Sequence, residues 1–266
     1  MKLTELFSLE GRSALVTGGS RGIGRMIVEG YLAAGCARVY ISARKQAEID
    51  DTVAAFGDRV VGLPMDLSTV EACRALAAEV ERREGGRLDI LVNNAGAAWG
   101  EDYDSFPEEG WDKVMDLNVK SLFFLTQALT PALRRSASFE RPAKVINIAS
   151  IDGLRVNPWE TYSYQASKAA VIHLTRRMAA RLVRDNILAT AICPGAFPSN
   201  MNKVARDHGD AVARNIPFPR TGTPEDMAGA AIFLASRAGD YVVGSALPVD
   251  GGVVNASLPG HGIEAD

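Results

Sequence analysis

At 266 residues the chain has the length of one large α/β domain or two small ones. Hydrophobic residues at 47% and charged residues at 23% are ordinary for a globular protein, and a formal net charge of -3 gives no footing for nucleic acid or an anionic membrane as partner. Cys36, Cys73 and Cys193 are odd in number and far apart, which excludes a disulfide framework or a C-x-x-C metal pair and predicts reduced thiols in a cytoplasmic protein.

The opening residues Met1 to Leu6 carry Glu5 too early for a secretory signal, and no stretch reaches about 18 consecutive apolar residues. Ser13-Ala14-Leu15-Val16 is a short apolar run of the kind a buried strand needs. A turn over Thr17-Gly18-Gly19-Ser20-Arg21-Gly22-Ile23-Gly24 follows, and Ile23, Met26, Ile27 and Leu32 then recur at helical spacing. Arg38–Ser42 reads as a second strand, Gln46–Phe56 as a helix and Arg59–Met65 as a third strand. Ser68, with Glu71 three residues on, has the pattern of a capping box that opens a helix running to Glu84. Leu88–Asn93 reads as a fourth strand, followed by helical stretches at Glu108–Met115 and Val119–Arg135. Lys144–Ile148 is the fifth strand, Tyr162–Val183 a long helix, Ile187–Cys193 the sixth strand and Leu247–Val249 a short seventh.

Strands and helices alternate throughout, and the strands are continuous apolar runs, as strands covered on both faces should be. The pattern predicts an α/β fold over 1–266, a single Rossmann-like domain with a doubly wound parallel sheet and helices on both faces. In such sheets ligands sit at the carboxyl ends of the strands. The loops at Gly18–Gly22, Ala43–Arg44, Asp66, Asn94–Gly96, Ser150 and Pro194-Gly195 all fall on that edge.

Chemistry concentrates there. A glycine-rich turn between strand and helix lets backbone N–H groups converge on an anion, and the positive end of the helix dipole favours pyrophosphate. In the long helix, Tyr164 and Lys168 stand four residues apart and share a face. A free phenol titrates near 10, so lowering it to about 7 takes roughly 4 kcal/mol. A cation about 4 Å away at an effective dielectric near 20 supplies roughly that, and because solvent reduces it a second positive charge has a part to play as well. Tyr162 cannot substitute, because six residues from Lys168 it points elsewhere on the helix. Ser150, at the end of the fifth strand, is placed to donate a hydrogen bond to a carbonyl, and the Asn118 amide to hold a water or a backbone carbonyl.

Together these residues resemble the short-chain dehydrogenase/reductase family: TGGSRGIG at 17–24, NNAG at 93–96, Asn118, Ser150, YQASK at 164–168 and PG at 194–195, in the family order from about Leu9 to Gly252. Within it the β-ketoacyl reductase branch is the nearest likeness. The resemblance implies Tyr164 as general acid in reduction and base in oxidation, Lys168 on the nicotinamide ribose, Ser150 polarising the substrate carbonyl and Asn118 supporting a water in a proton relay. It implies Gly18, Ser20, Arg21, Gly22, Ile23 and Gly24 around the pyrophosphate. Asn93, Asn94, Ala95 and Gly96 would line the adenine-ribose side, Asp66 and Leu67 would flank the adenine, and Pro194 and Gly195 would shape the nicotinamide pocket. Two departures stand out: the Ser150–Tyr164 segment, with Asn157-Pro158-Trp159-Glu160, is slightly long, and Ser199 replaces a common threonine after Pro-Gly while keeping the hydroxyl.

An acidic residue ending the second strand would hold a ribose 2′-OH and repel a 2′-phosphate. This chain has Ala43 there, then Arg44 and Lys45, with Arg21 reaching from the turn, which predicts NADP(H) over NAD(H). No metal site is expected, since His173, His208 and His261 are scattered. The irregular stretch 196–223 reads as a substrate lid, with Trp99, Trp159, Phe197, Met201 and Phe218 as apolar candidates for its pocket.

The expected reaction is reduction of a carbonyl, a 3-oxoacyl thioester or similar ketone, to a secondary alcohol (EC 1.1.1.-). An acyl carrier protein is acidic and would need a basic landing patch, for which Arg134, Arg135, Arg176, Arg177, Arg181 and Arg184 are candidates; a solvated helix face explains them more simply, and acyl-CoA or free ketones stay open. The alternative is a secondary-alcohol, sugar or steroid dehydrogenase working oxidatively with NAD. Gly18-Gly19-Ser20-Arg21-Gly22 also satisfies G-x-S-x-G, the elbow of serine hydrolases, but follows the first strand, too early for that fold. A nucleotide-sensing protein without catalysis is a third reading, against which the intact Asn118, Ser150, Tyr164 and Lys168 set argues. The resemblance further implies a homotetramer or homodimer, packed through the helices at 119–135 and 162–183, and the tail 256–266 reads as poorly ordered or touching a neighbour.

Overall fold

Apolar β-branched runs become strands because a sheet covered on both faces has no polar side to present. In the computed structural model, which describes residues 2–257, seven such runs form one parallel sheet in the order β3-β2-β1-β4-β5-β6-β7. After a one-turn helix α1 (Leu3–Leu6), the elements run β1 (Ser13–Thr17), α2 (Gly22–Ala33), β2 (Arg38–Ala43), α3 (Gln46–Phe56), β3 (Val60–Pro64), α4 (Val70–Arg83) and β4 (Ile90–Asn93). They continue with α5 (Glu108–Met115), α6 (Ser121–Ser136), β5 (Ala143–Ile148), α7 (Tyr162–Leu182), β6 (Ile187–Pro194), α8 (Lys203–Asp207), α9 (Gly209–Ala213), α10 (Pro224–Ala235) and β7 (Ala246–Val249).

The strand order reverses between β1 and β4, where Val16 pairs with Val92. Helices α4, α6 and α7 cover one face through Leu76, Leu125, Leu129 and Val171. Helices α2 and α10 cover the other through Ile27, Tyr31, Met227 and Leu234. The doubly wound sheet expected from the alternation is thus the fold.

Some boundaries differ. Ser68 does not cap α4: Asp66 accepts its N–H at 3.1 Å in a tight local turn, and Thr69 takes the cap by accepting the Ala72 N–H at 3.2 Å. The stretches predicted at 108–115 and 119–135 are joined by a π-helical turn, Asp116–Lys120. Helix α10 has no counterpart in the predicted elements, although Pro224 at its first position and Asp226, which accepts the Thr223 N–H at 2.8 Å, form a helix-start signature. The expected lid, 196–223, carries two five-residue helices, α8 and α9. Most of the tail expected at 256–266 lies outside the described residues. Among the described residues no helix is long and apolar enough to cross a membrane.

Candidate active site

The turn after β1 is shaped by its glycines. Gly18 and Gly22 have φ of 65° and 53°, a region that disfavours side chains. A Cβ on Gly24 would lie 2.2 Å from the Gly18 carbonyl oxygen and 2.5 Å from Asn94 Nδ2, so only glycine lets α2 start this close to the turn. The Asn94 amide donates to the carbonyls of Thr17 at 2.8 Å and Gly18 at 3.2 Å. In return Thr17 Oγ1 accepts the N–H groups of Asn94 and Ala95, each at 2.9 Å. These bonds strap the exit of β4 to the turn, leaving a bare backbone cradle at the positive end of α2. Ser20 is buried and Ile23 half-buried within it.

Neither His173 nor His208 hydrogen-bonds to Ser20, and His173 is exposed in the middle of α7. The elbow arrangement of a serine hydrolase is therefore not formed among the described residues.

Across the sheet's carboxyl edge, Ser150 follows β5 and its hydroxyl accepts the Asp152 N–H at 3.1 Å. Tyr164 sits in the first turn of α7 and Lys168 one turn on, with Nζ 5.5 Å from the phenol ring centroid. Lys168 is buried and donates to the Ile148 carbonyl at 2.9 Å. Burial lowers its pKa to about 8, which the neighbouring Cys193 and Asp152 oppose. Tyr164 keeps part of its surface, yet desolvation at the phenol oxygen pushes its pKa up to about 12, against the pull of the Ser150 hydroxyl. The expected fall toward neutrality does not occur in this state. The ammonium points to a backbone carbonyl and leaves desolvation to dominate.

Asn118, in the π turn, is 2% exposed. Its Oδ1 accepts the Ala97 N–H at 2.8 Å, and Nδ2 donates to the Ala97 carbonyl and to Ser167 Oγ, each at 2.9 Å. Ser167 Oγ in turn donates to the Tyr164 carbonyl at 2.7 Å. Both amide hydrogens are committed, and the expected backbone carbonyl is that of Ala97; one lone pair remains for a water. Asn118 thereby ties the loop after β4 to the turn of α7 that carries the phenol. Gly96 packs beside it, a Cβ there meeting Asn118 Oδ1 at 3.1 Å.

Gly195 closes the edge, its N–H donating to the Val249 carbonyl at 2.9 Å just after Pro194 ends β6. Ser199 Oγ accepts the Asn202 N–H at 3.0 Å, and the side chain sits against Gly22, so the start of the lid touches the glycine turn. A groove of about 310 Å³ runs between them, lined by Gly22, Met26, Ser199 and Arg206.

Residues 18–254 match the family described as enoyl-(acyl carrier protein) reductase. The chain belongs to the short-chain dehydrogenase/reductase family. Over 252 residues this short-chain dehydrogenase/reductase is 49% identical to the rhamnolipids biosynthesis 3-oxoacyl-[acyl-carrier-protein] reductase of Pseudomonas aeruginosa, a match over 92% of this chain and 97% of that one. It is 40% identical over 253 residues to the 2-dehydro-3-deoxy-D-gluconate 5-dehydrogenase of Dickeya dadantii, covering 92% and 96% respectively. Among solved structures, the Pseudomonas aeruginosa RhlG/NADP active-site complex superposes with a TM-score of 0.89 at 48% identity over 94% of this chain and 99% of that one. A Burkholderia cenocepacia gluconate 5-dehydrogenase in complex with NADP and tartrate gives 0.87 at 34% identity, over 96% and 100%. The protein is an oxidoreductase of this family.

One site residue of the short-chain dehydrogenase/reductase lies where the sequence did not put it. Asn93 faces the core and not the adenine-ribose side: its amide donates at 2.9 Å to both Thr126 Oγ1 and Asn147 Oδ1, in a buried polar ladder that Asn147 extends to Thr175. Leu67 is buried in the core, while Asp66 beside it is exposed. Arg44 is exposed, and Arg21 lies 3.5 Å from Glu48. Of the apolar pocket candidates, Phe197 is core, Trp99 packs on Gly110, and Trp159, Met201 and Phe218 are exposed. Sequence reasoning passed over Thr17 and Ser167, both inside the quoted motifs, and Glu48, which no motif marks.

Two of the arginines considered for a carrier protein, Arg134 and Arg181, lie far from Tyr164. Arg181 is 17 residues from Tyr164 on α7, roughly 25 Å along the helix. There Arg134 and Arg181 both pair with Asp185, at 2.7 and 2.9 Å.

Proposed function

We propose that this enzyme is an NADP(H)-dependent carbonyl reductase, acting on a 3-oxoacyl thioester or similar ketone, with Tyr164 as the proton donor. The carrying observation is the Tyr164 phenol in the first turn of α7, one helical turn before buried Lys168, whose Nζ lies 5.5 Å from the phenol ring centroid, with Ser150 just after β5 on the same sheet edge as the glycine turn.

The glycine cradle fits a dinucleotide: Gly18, Ser20, Gly22, Ile23 and Gly24 would hold the pyrophosphate at the start of α2. Arg21 and Arg44 would meet a 2′-phosphate; Asp66, Leu67, Asn94, Ala95 and Gly96 would border the adenosine half, and Pro194, Gly195 and Ser199 the nicotinamide half. When bound, the cofactor supplies the hydride. The protein's own residues do the rest. Ser150 donates a hydrogen bond to the substrate carbonyl oxygen, which draws charge onto that atom. Tyr164 then delivers its proton to the developing alkoxide. Lys168, cationic below about pH 8, stabilises the phenolate left behind and would hold the cofactor ribose. Asn118 holds the first turn of α7 and the loop after β4 in one geometry.

A sugar-acid substrate is the second reading, favoured by the gluconate-type relatives at 40% and 34% identity. Exposed Trp111 and Phe123 on α5 and α6 support a dimer or tetramer, and three buried free thiols support a cytoplasmic location. Turnover of acetoacetyl-CoA, a panel of cyclic and aryl ketones, and 5-keto sugar acids, each with NADPH and NADH, tests the proposal. It expects ketone reduction with NADPH at a kcat/KM well above that with NADH. A ratio near one overturns the cofactor assignment, and activity on sugar acids alone overturns the substrate class.

A further inference from the structure

Helix α3 begins directly beside the glycine turn, and its placement is not free to vary. The buried Thr52 hydroxyl lies 3.0 Å from the Ser20 carbonyl and 2.9 Å from the Glu48 carbonyl, pinning the helix to the turn. Ile49 anchors the same helix turn from below, buried against Gly62. Glu48 stands four residues before Thr52, on the same side of the helix. Its Oε1 lies 3.5 Å from an Arg21 guanidinium nitrogen and 3.2 Å from Lys45 Nζ. The carboxylate therefore sits between Arg21 of the glycine turn and Lys45 after β2, in the first turn of α3, where the helix N-terminus favours a negative charge.

We infer that Glu48 is a specificity-determining residue that acts against the 2′-phosphate of the cofactor, occupying by its own carboxylate the cationic position that the phosphate needs. The inference rests on the NADP(H) reading above for its importance in the cell but not for its physics. Arg21 and Lys45 can each serve one anion well. A phosphate arriving beside Glu48 has to share these cations and meets a like charge within a few ångströms, so part of its attraction is cancelled. The effect is selective, because an adenosine ribose with a free 2′-OH brings no competing charge. Glu48 thus moderates a preference that Arg21, Arg44 and Lys45 would otherwise make steep.

The test uses ligands that need no turnover. Titration calorimetry of the full chain with adenosine 2′,5′-bisphosphate and with 5′-AMP is compared for wild type and Glu48→Gln. The expected result is a Kd for the bisphosphate lower by about three- to tenfold in the variant, the scale of two partly exposed ion pairs. The Kd for 5′-AMP moves less than twofold. In an Arg21→Gln background the gain shrinks, since one of the two cations is gone. An unchanged or weaker bisphosphate affinity in Glu48→Gln overturns the inference, whatever the wild type prefers. Equal binding of both ligands by the wild type, with a gain for the bisphosphate in the variant, upholds it and overturns the NADP(H) preference instead.

Discussion

Lys168 Nζ donates its hydrogen bond to the carbonyl of Ile148, the last residue of β5, at 2.9 Å. The ammonium is thereby held against the sheet at the point where the strand ends and Ser150 begins the site. This contact gives the cation a fixed position beside the first turn of α7, while burial pushes the Tyr164 phenol up to about 12.

Tyr164→Phe removes the transferable proton and keeps the ring that packs beside Lys168. Turnover should fall by about 10²- to 10⁴-fold, the range for loss of a positioned general acid. Affinity for NADPH, followed by its fluorescence, should change by less than threefold. Turnover within tenfold of wild type would assign the proton to another group.

Asn118 is buried and its amide serves three partners. Asn118→Leu leaves the Ala97 N–H and carbonyl and the Ser167 hydroxyl without it, at about 1–3 kcal/mol for each group that stays unsatisfied. Urea denaturation should show a loss of about 2–5 kcal/mol, with kcat falling more than KM rises as the first turn of α7 loosens. A variant as stable as wild type would mean that water replaces the amide fully.

Two glycine-to-alanine changes should have opposite signs. Gly24→Ala places a methyl 2.2 Å from the Gly18 oxygen, which a backbone turn cannot yield to, so nucleotide affinity and thermal stability should both drop. Gly229 is exposed inside α10, and nothing lies within 4 Å of an added Cβ. Gly229→Ala should stabilise by about 0.5–1 kcal/mol through helix propensity, with activity unchanged. Calorimetric Tm values for the pair check both signs.

Alkali should unfold the protein through its buried thiols. Burial pushes Cys36 up to about 12, and Cys73 and Cys193 up to about 11, from an ordinary value of 9.0. The native state then keeps protons that the unfolded chain releases. Their stabilisation is complete below about pH 9 and is lost as pH climbs through 11 to 12. Lys168 acts in the opposite sense: with its pKa lowered from 10.5 to about 8, its burial cost is fully present below pH 8 and is relieved toward 10.5. Tm should therefore hold or rise slightly from pH 8 to 9 and fall steeply above it. Cys73→Ala should flatten the fall, and an unchanged slope would trace alkaline unfolding to other groups.

What the residues alone determined is local. The apolar runs of β1, β4, β5 and β6, the glycine turn, and the Tyr164–Lys168 spacing follow from steric freedom and helical or strand period, which act over a few residues. The doubly wound topology follows from their alternation, because parallel strands need crossover helices. Tertiary structure alone decided the partners. Asn93 turned to Thr126 and Asn147, Ser167 linked Asn118 to the phenol-bearing turn, Lys168 chose the Ile148 carbonyl, and Glu48 met Arg21 from 27 residues away. A hydrogen bond or an ion pair depends on ångström distances between segments remote in sequence. Those distances are set by how whole helices seat on the sheet, which no local pattern of residues encodes.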